Sequence, residues 1–494
     1  MRPSERWVAL SIALALLAAP RAAKPADRPP NIIVILADDL GIGDVCAYGA
    51  CDAGRATPNL DALAASGIRF TSGYVAAPIC SPSRAALMTG RYQQRFGHEF
   101  NPDGIERGQS QSLGTPVTEI LFPTYLEPRG YASGIIGKWH LGPAPPQNPV
   151  VRGFDEFFGF LHGAKLYYPT VDEPGIHQIA EAPVKGKEKT EQNPLNPMMR
   201  GREPTTEPGY LTDAFAREAV SFIERHRAQP FFLYVPFNAP HTPLMVDDER
   251  YDRFAGVGDE THRIHAAMMG ALDDGVGKIV AALRSADLLE DTLIFFISDN
   301  GCPTNIAACS NADLRGGKRV LFEGGINVPF LASWPGTIAP GRVVDEPVIT
   351  LDLLPTALEL AGVKPPTDRE LDGRSLAPLL RGKVESLGRE ALFWRHGTNW
   401  AVRAGSMKLI GFSGHAPLLF DLASEAGESR DLATAKADVV ASLERLYRAW
   451  ESKLVEPLWD SGGSIWVSLD DLMAGKPMKP IKGPPPHPGA VEIP

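Results

Sequence analysis

The chain has 494 residues, 44% of them hydrophobic and 22% charged, with a formal net charge of −10. That is the composition of a globular protein with room for one large domain and one smaller one. The acidic balance argues against wholesale nucleic-acid binding, which needs clustered Lys and Arg to neutralise phosphates; an anionic ligand therefore requires a local basic pocket.

In chain order, Arg2 and Arg6 precede an apolar stretch from Val8 to Ala19, followed by small residues and a Pro-rich spacer. This pattern predicts a secretory signal peptide over 1–23 and a linker over 24–30. The stretch is short of the roughly 20 apolar residues that a membrane span needs. The expectation is an exported protein, periplasmic or secreted, with no membrane span in the mature chain. Export permits disulfides. Of the five cysteines, Cys46 with Cys51 and Cys302 with Cys309 lie close enough in sequence to pair. Cys80 is left over, readable as a buried free thiol or as a reactive residue.

The run NIIVILADDLG, starting at Asn31, is apolar on both faces, as in a central strand of a parallel sheet. YASGIIGKWHLG, PFFLYVPFNAPHTP and DTLIFFISDNG repeat the arrangement further along. Between them, TPNLDALAASG, Leu211 to Arg227 and His262 to Ser285 have helical spacing. The predicted fold class is α/β: a large mixed, mostly parallel sheet flanked by helices over 31–386. Short strands and a helix over 387–473 predict a smaller C-terminal α+β subdomain with a small antiparallel sheet. The tail, 474–494, is too rich in Pro and Gly to pack regularly and is expected to be extended or mobile.

Polar residues gather at the predicted strand ends, where ligands collect in such sheets. Asp38 and Asp39 follow one strand, Asp299 and Asn300 another. Either pair alone reads equally well as helix caps. Two pairs at equivalent ends form a hard, all-oxygen set suited to Ca²⁺ in preference to Mg²⁺, and to either over Zn²⁺. Cys80 precedes SPSRAALMTG, where Pro82 can open a helix and Gly90 end it. The free N–H groups of such a start form an anion site that Arg84 can reach. In GKWHLG, Lys138 and His140 are two apart and share one side if that segment is extended. Lys138, His140, His241 and Lys318 each read singly as ordinary surface or structural residues.

Taken together these segments resemble the type I sulfatases of the alkaline phosphatase superfamily. CSPSRAALMTGR is similar to the family's Cys-x-Pro-x-Arg signature with its Leu-x-Thr-Gly-Arg continuation, and GYASGIIGKWHLG to its second signature. ADDLG, APHTP, SDNG and GGKRVLFEGGINVP follow the family's order, from Asn31 to about Leu380. The resemblance implies an alkaline-phosphatase-like fold and sulfate ester hydrolysis. It also implies that a maturation enzyme, formylglycine-generating or anaerobic, converts Cys80 to Cα-formylglycine. One hydroxyl of the hydrated aldehyde would attack sulfur; loss of the other's proton would then expel sulfate and restore the aldehyde.

By the same resemblance, Asp38, Asp39, Asp299, Asn300 and the modified Cys80 hold Ca²⁺, and Arg84 and Lys138 hold the diol and sulfate. His140 acts as base, while His241 and Lys318 bind sulfate and protonate the leaving oxygen. A family serine near the diol has no match around GFLHGAKLYY, where His162 or Lys165 could stand. The implied substrate is a sulfated carbohydrate, with His98, His162, His396 and Trp400 as candidate contacts, joined by the loop residues Glu99 and Asn101. Two alternatives accompany this reading: a formylglycine-dependent phosphate or phosphonate ester hydrolase, against which Asn300 counts, and a non-catalytic sulfated-glycan binding protein.

Overall fold

Asn31–Ala37 is buried at every position because it lies in the middle of a sheet covered on both faces. Its register is parallel to Thr292–Ser298 on one side and to Phe231–Pro236 on the other. Ala132–Lys138 and Glu156–Phe160 extend the parallel run. Phe330–Ser333 pairs antiparallel with Thr292–Ser298. Short strands complete a mixed ten-stranded sheet, in agreement with the predicted class. The computed structural model describes residues 28–49, 56–102, 113–170, 174–179, 196–305, 308–481 and 489–494. The predicted signal peptide and Cys51 lie outside the described residues. No described helix is long and apolar enough to cross a membrane.

Side chains alternate across the sheet, so one strand feeds two cores. Ile32, Val34 and Leu36 join the core containing the Cys80–Thr89 and Leu353–Ala361 helices and the C-terminal sheet. Ile33, Ile35 and Ala37 join the other, with the helices Pro58–Ala65, Leu211–His226 and Glu260–Ser285. Each fully buried aliphatic side chain contributes roughly 1.5–3 kcal/mol, which makes the strand that carries Asp38 and Asp39 a rigid support.

Beyond it, Leu392–His396, Asn399–Ala404, Met407–Gly411 and Leu418–Asp421 form an antiparallel meander, against which the Ala437–Glu451 helix stacks Trp450 on Phe393 at 5.2 Å. The tail departs from expectation. Ala490–Ile493 pairs antiparallel with Ile465–Ser468, and the Ile481 N–H donates to the Trp466 carbonyl. The reason is local: AVEI carries neither Pro nor Gly, and Val491 and Ile493 are buried, so this end of the tail can make a ladder and bury apolar surface.

A buried ion triad fastens the meander to the short Glu323–Ile326 helix that precedes the Phe330–Ser333 strand. Lys408 Nζ lies 2.8 Å from Glu323 and 2.8 Å from Glu428, all three inaccessible or nearly so. Burial pushes the Glu428 carboxyl up to about 7, against the pull of Lys408. Lys408→Ala strands two buried carboxylates and is expected to destabilise the protein by about 3–5 kcal/mol, read by urea denaturation. A loss under 1 kcal/mol would show that protonation of the glutamates replaces the lysine.

Candidate active site

The sheet register builds the site. Ala37 is level with Ser298, so Asp38 and Asp299 emerge side by side. The Asp38 N–H donates to the Ala239 carbonyl, and the Asp299 N–H to that of Ala37. Asp39 then turns into the left-handed region at φ 67°, a strained conformation that persists where surroundings impose it. Its N–H donates to Asp299 Oδ1 at 3.2 Å, and Asn300 Nδ2 donates to Asp39 Oδ1 at 2.7 Å. The four predicted ligands thus form one buried cluster.

The cations converge on it. Lys138, at the end of its strand, donates to Asp38 Oδ2 at 2.6 Å. Arg84 donates through Nε and Nη2 to Asp299 Oδ2 at 2.9 and 2.7 Å, and lies 3.4 Å from Asp38. Lys318 Nζ is 2.7 Å from Asp39, and His241 Nε2 is 3.6 Å from the same carboxylate. His241 Nδ1 faces the Thr242 carbonyl at 2.6 Å; with Nδ1 donating there, Nε2 carries a proton toward Asp39 only in the charged ring. Gly317 permits the close approach of the Lys318 loop, since a Cβ there would sit 2.2 Å from the Cys302 carbonyl. The Cys302–Cys309 disulfide, expected from spacing, is present in that neighbouring loop.

Burial alone would raise both Asp38 and Asp39, but the surrounding cations outweigh it and hold both below the usual carboxylate range. Asp299 goes the other way: burial and the neighbouring Asp38 charge push it up to about 6, despite Arg84. Burial also pushes the Cys80 thiol well up, against the pull of Lys138 and Lys318. An unmodified Cys80 is therefore a protonated thiol, donating to Asp38 Oδ1 at 3.5 Å, and thiols in that state are poor nucleophiles.

Cys80 is the first residue of the Cys80–Thr89 helix, which Gly90 ends at φ 65° as expected. The helix starts two residues before Pro82, where sequence placed the opening. Asn101 accepts from the Ser81 N–H at 3.0 Å and so caps it. Ser81 Oγ donates to the His140 carbonyl and pairs with His98 Nε2 at 2.7 Å, while His98 Nδ1 meets Thr115 Oγ1. This network ties the nucleophile helix to the Lys138–His140 segment. That segment is not extended: His140 has φ 60°, so it leaves the line of Lys138 because the strand ends there.

Several candidate substrate contacts fall elsewhere. His98 is fully buried beneath the helix, and burial holds its ring down to about 3; it is a neutral support, not a pocket residue. Glu99 is taken by Arg395 at 2.6 Å. Trp400 lies across Gly411 and stacks on Tyr447 at 4.4 Å. It fills the space left by a missing side chain, in a different cavity from His241 and Lys318. Near His162, whose N–H donates to Asn196 Oδ1, Lys165 Nζ donates to the Asn196 carbonyl at 2.6 Å, anchoring that loop. Two candidates do reach the site: His396 and Asn101, with His241 and Lys318, line a cavity of about 440 Å³.

Met478, Pro480 and Pro494 also line this cavity, and sequence reasoning had set that tail aside. Arg319 and Asn305 were missed as well; the position of Arg319 directly after Lys318 was the available signal. Four oxygen-bearing side chains fit a hard cation. Asn300 Oδ1 is buried without a hydrogen-bond partner, the state of an oxygen reserved for a ligand. Asp38, Asp39, Cys80 and His241 also bring one donor atom each within 4.8 Å of one another. His241 stands on the Asp39 side of this grouping.

Comparison with known proteins agrees with this geometry. The family model described as Sulfatase matches residues 30–363, and that described as N-sulphoglucosamine sulphohydrolase, C-terminal, matches 316–449. N-acetylgalactosamine-6-sulfatase of Sus scrofa is 35% identical over 480 residues, covering 89% of this chain and 88% of its own. Steryl-sulfatase of Mus musculus is 33% identical, covering 86% and 82%. The solved structure of Ps i-CgsB in complex with k-i-k-neocarrahexaose has a TM-score of 0.80 at 35% identity, covering 87% of this chain and 95% of that one. The Sulfatase model spans most of the chain and the relatives match most of both lengths, and the acidic strand ends, the Cys80 helix and the cations Arg84, Lys138 and Lys318 meet where that match requires: the chain belongs to the sulfatase family of the alkaline phosphatase superfamily and is a sulfuric ester hydrolase.

Proposed function

We propose that this protein is an exported sulfatase that removes sulfate from a sulfated carbohydrate, using formylglycine made from Cys80 by a maturation enzyme and a bound Ca²⁺. The observation that carries the reading is the position of Cys80: first residue of a capped helix, 3.5 Å from Asp38, in a cluster reached by Arg84, Lys138 and Lys318. Asp38, Asp39, Asp299 and Asn300 would hold the ion, whose chemistry when bound is to withdraw charge from a sulfate oxygen. Arg84 and Lys138 hold the modified side chain and offset sulfate charge. Lys318 and His241 bind sulfate and protonate the departing ester oxygen, and His140 is the base for sulfate release. Export rests on the Val8–Ala19 pattern.

Asn101, His241, Asn305, Lys318, His396 and Ser461 give the cavity wall hydrogen-bonding groups that a carbohydrate can satisfy, beside the apolar Ile79, Phe100, Ile465 and Met478; polar side chains left unpaired against a ligand lose hydrogen bonds. Two of the relatives compared carry a sugar sulfate or a carrageenan oligosaccharide in their names. The test is release of inorganic sulfate from sulfated mono- and oligosaccharides and steryl sulfate, and of inorganic phosphate from an aryl phosphate, each read by ion chromatography. Saccharides are expected to be the preferred substrates, and chelation to lower turnover at least about tenfold, with Ca²⁺ restoring it better than Mg²⁺. Preference for the steryl or phosphate ester, or indifference to chelation, would sink the corresponding part of the reading.

A further inference from the structure

The cavity beside Lys318 and His241 has Arg319 at its wall and, among the described residues, no Asp or Glu side chain in its lining, although the chain carries a formal charge of −10. Its two cations are not equivalent. Lys318 lies 2.7 Å from Asp39, so much of its field is cancelled. Arg319 is exposed, and among the described residues its side chain has no ion pair or hydrogen bond.

The backbone of Arg319 is nevertheless fixed. Its N–H donates to the Pro78 carbonyl at 2.8 Å, two residues before Cys80, and its φ is 81°. A non-glycine residue in that region costs of order 1–3 kcal/mol, yet the position carries the longest cationic side chain. The neighbouring wall supplies no rival for an anion. His396 is buried, and burial together with the Arg319 charge holds its ring down to about 4, so it is neutral at neutral pH. The ring of Pro494, which packs against Gly397, is apolar.

We infer that Arg319 is a second anion subsite, which binds a further sulfate or carboxylate carried by the saccharide whose sulfate ester is cleaved at the Lys318 side of the same cavity. This rests on the sulfated-carbohydrate reading above. A monosulfated sugar leaves the guanidinium in water; a substrate with a second anionic substituent gains a charge-assisted, bidentate contact.

The test is calorimetric binding to full-length Cys80→Ala protein, in which nothing turns over. The probes are N-acetylgalactosamine 6-sulfate, its 4,6-disulfate, and the 6-sulfate joined to a uronic acid. Either dianionic probe is expected to bind at least about tenfold more tightly than the monosulfated sugar, the two probes separating sulfate from carboxylate as the second group. Adding Arg319→Gln should bring the ratio near one, and Arg319→Glu should invert it. A misfolded variant would lose all binding and leave no ratio, so Arg319→Lys is included and should retain part of the preference. Equal binding of all three probes, or a preference unchanged in Arg319→Gln, overturns the inference. Sulfate release by the unmutated protein, measured separately, distinguishes failure of the sulfatase reading from failure of this subsite.

Discussion

Cys80→Ala is expected to lower sulfate release by at least roughly 10³-fold, the scale on which loss of a covalent nucleophile acts, with little change in folding. Cys80 is buried at the start of its helix and its thiol makes a single long contact to Asp38, so the methyl group fits and leaves little unsatisfied. Cys80→Ser keeps one hydroxyl but not the second that expels sulfate, and should not rescue turnover. Peptide mass spectrometry of active protein should find an aldehyde in place of the thiol at position 80. Full activity with unmodified cysteine would remove the proposed nucleophile, and with it the reason for burying a protonated thiol among cations.

Arg84→Ala is the largest expected loss of stability within the site. The guanidinium is wholly buried, donates twice to Asp299 and once to the Lys138 carbonyl, and lies near Asp38. Without it, Asp299 becomes a buried carboxylate facing Asp38, at an expected cost of about 3–5 kcal/mol. Arg84→Lys should recover only part of this, because an ammonium cannot reproduce the two-pronged contact and the carbonyl contact together. Denaturation in the presence of a chelator reads the effect. The direction of pH dependence follows from Asp299, whose folded-state value is raised to about 6. A raised carboxyl favours the fold most below its unfolded value, and that contribution is lost as pH rises through about 6. Removing Arg84 takes away a charge that lowers Asp299, so the variant goes on losing stability above pH 6 where the unmutated protein no longer does, and the gap between them should widen from pH 5 to pH 7; a gap independent of pH would mean that the arginine does not affect the titration of Asp299.

The α/β class was legible in Asn31–Ala37, Phe231–Pro236 and Thr292–Ser298, because strands buried on both faces leave an uninterrupted apolar run. The glycine stop at Gly90 and the Cys302–Cys309 pairing were legible too, each being set by residues within ten positions of one another in the chain. The strand-end acids stood out because charge directly after such a run is costly unless paired. What each acid pairs with was not legible. Lys138 meets Asp38 and Lys318 meets Asp39 only because the sheet sets strands from distant segments side by side. The turn at His140 likewise depends on where the strand ends in the folded sheet.

The candidate contacts show the same divide. His98 and Trp400 look like ligand residues in a string of letters, yet one supports the Cys80 helix and the other covers Gly411. His396 looks no different and lines the pocket. The tail gave the opposite error: its Pro and Gly content concealed a short strand whose pairing with Ile465–Ser468 carries Pro494 to the cavity wall. By itself the sequence determined the fold class and the chemical type of the central cluster, since these follow from local apolar patterns and from residue types at strand ends, and it carried the family in the order of its signature-like segments. Only the tertiary structure decided which cations face which carboxylates, which histidines reach the cavity, and that Arg319 stands there without a side-chain partner among the described residues. Those depend on register and on packing between segments hundreds of residues apart, where burial and distance, not residue type, set what a side chain can do.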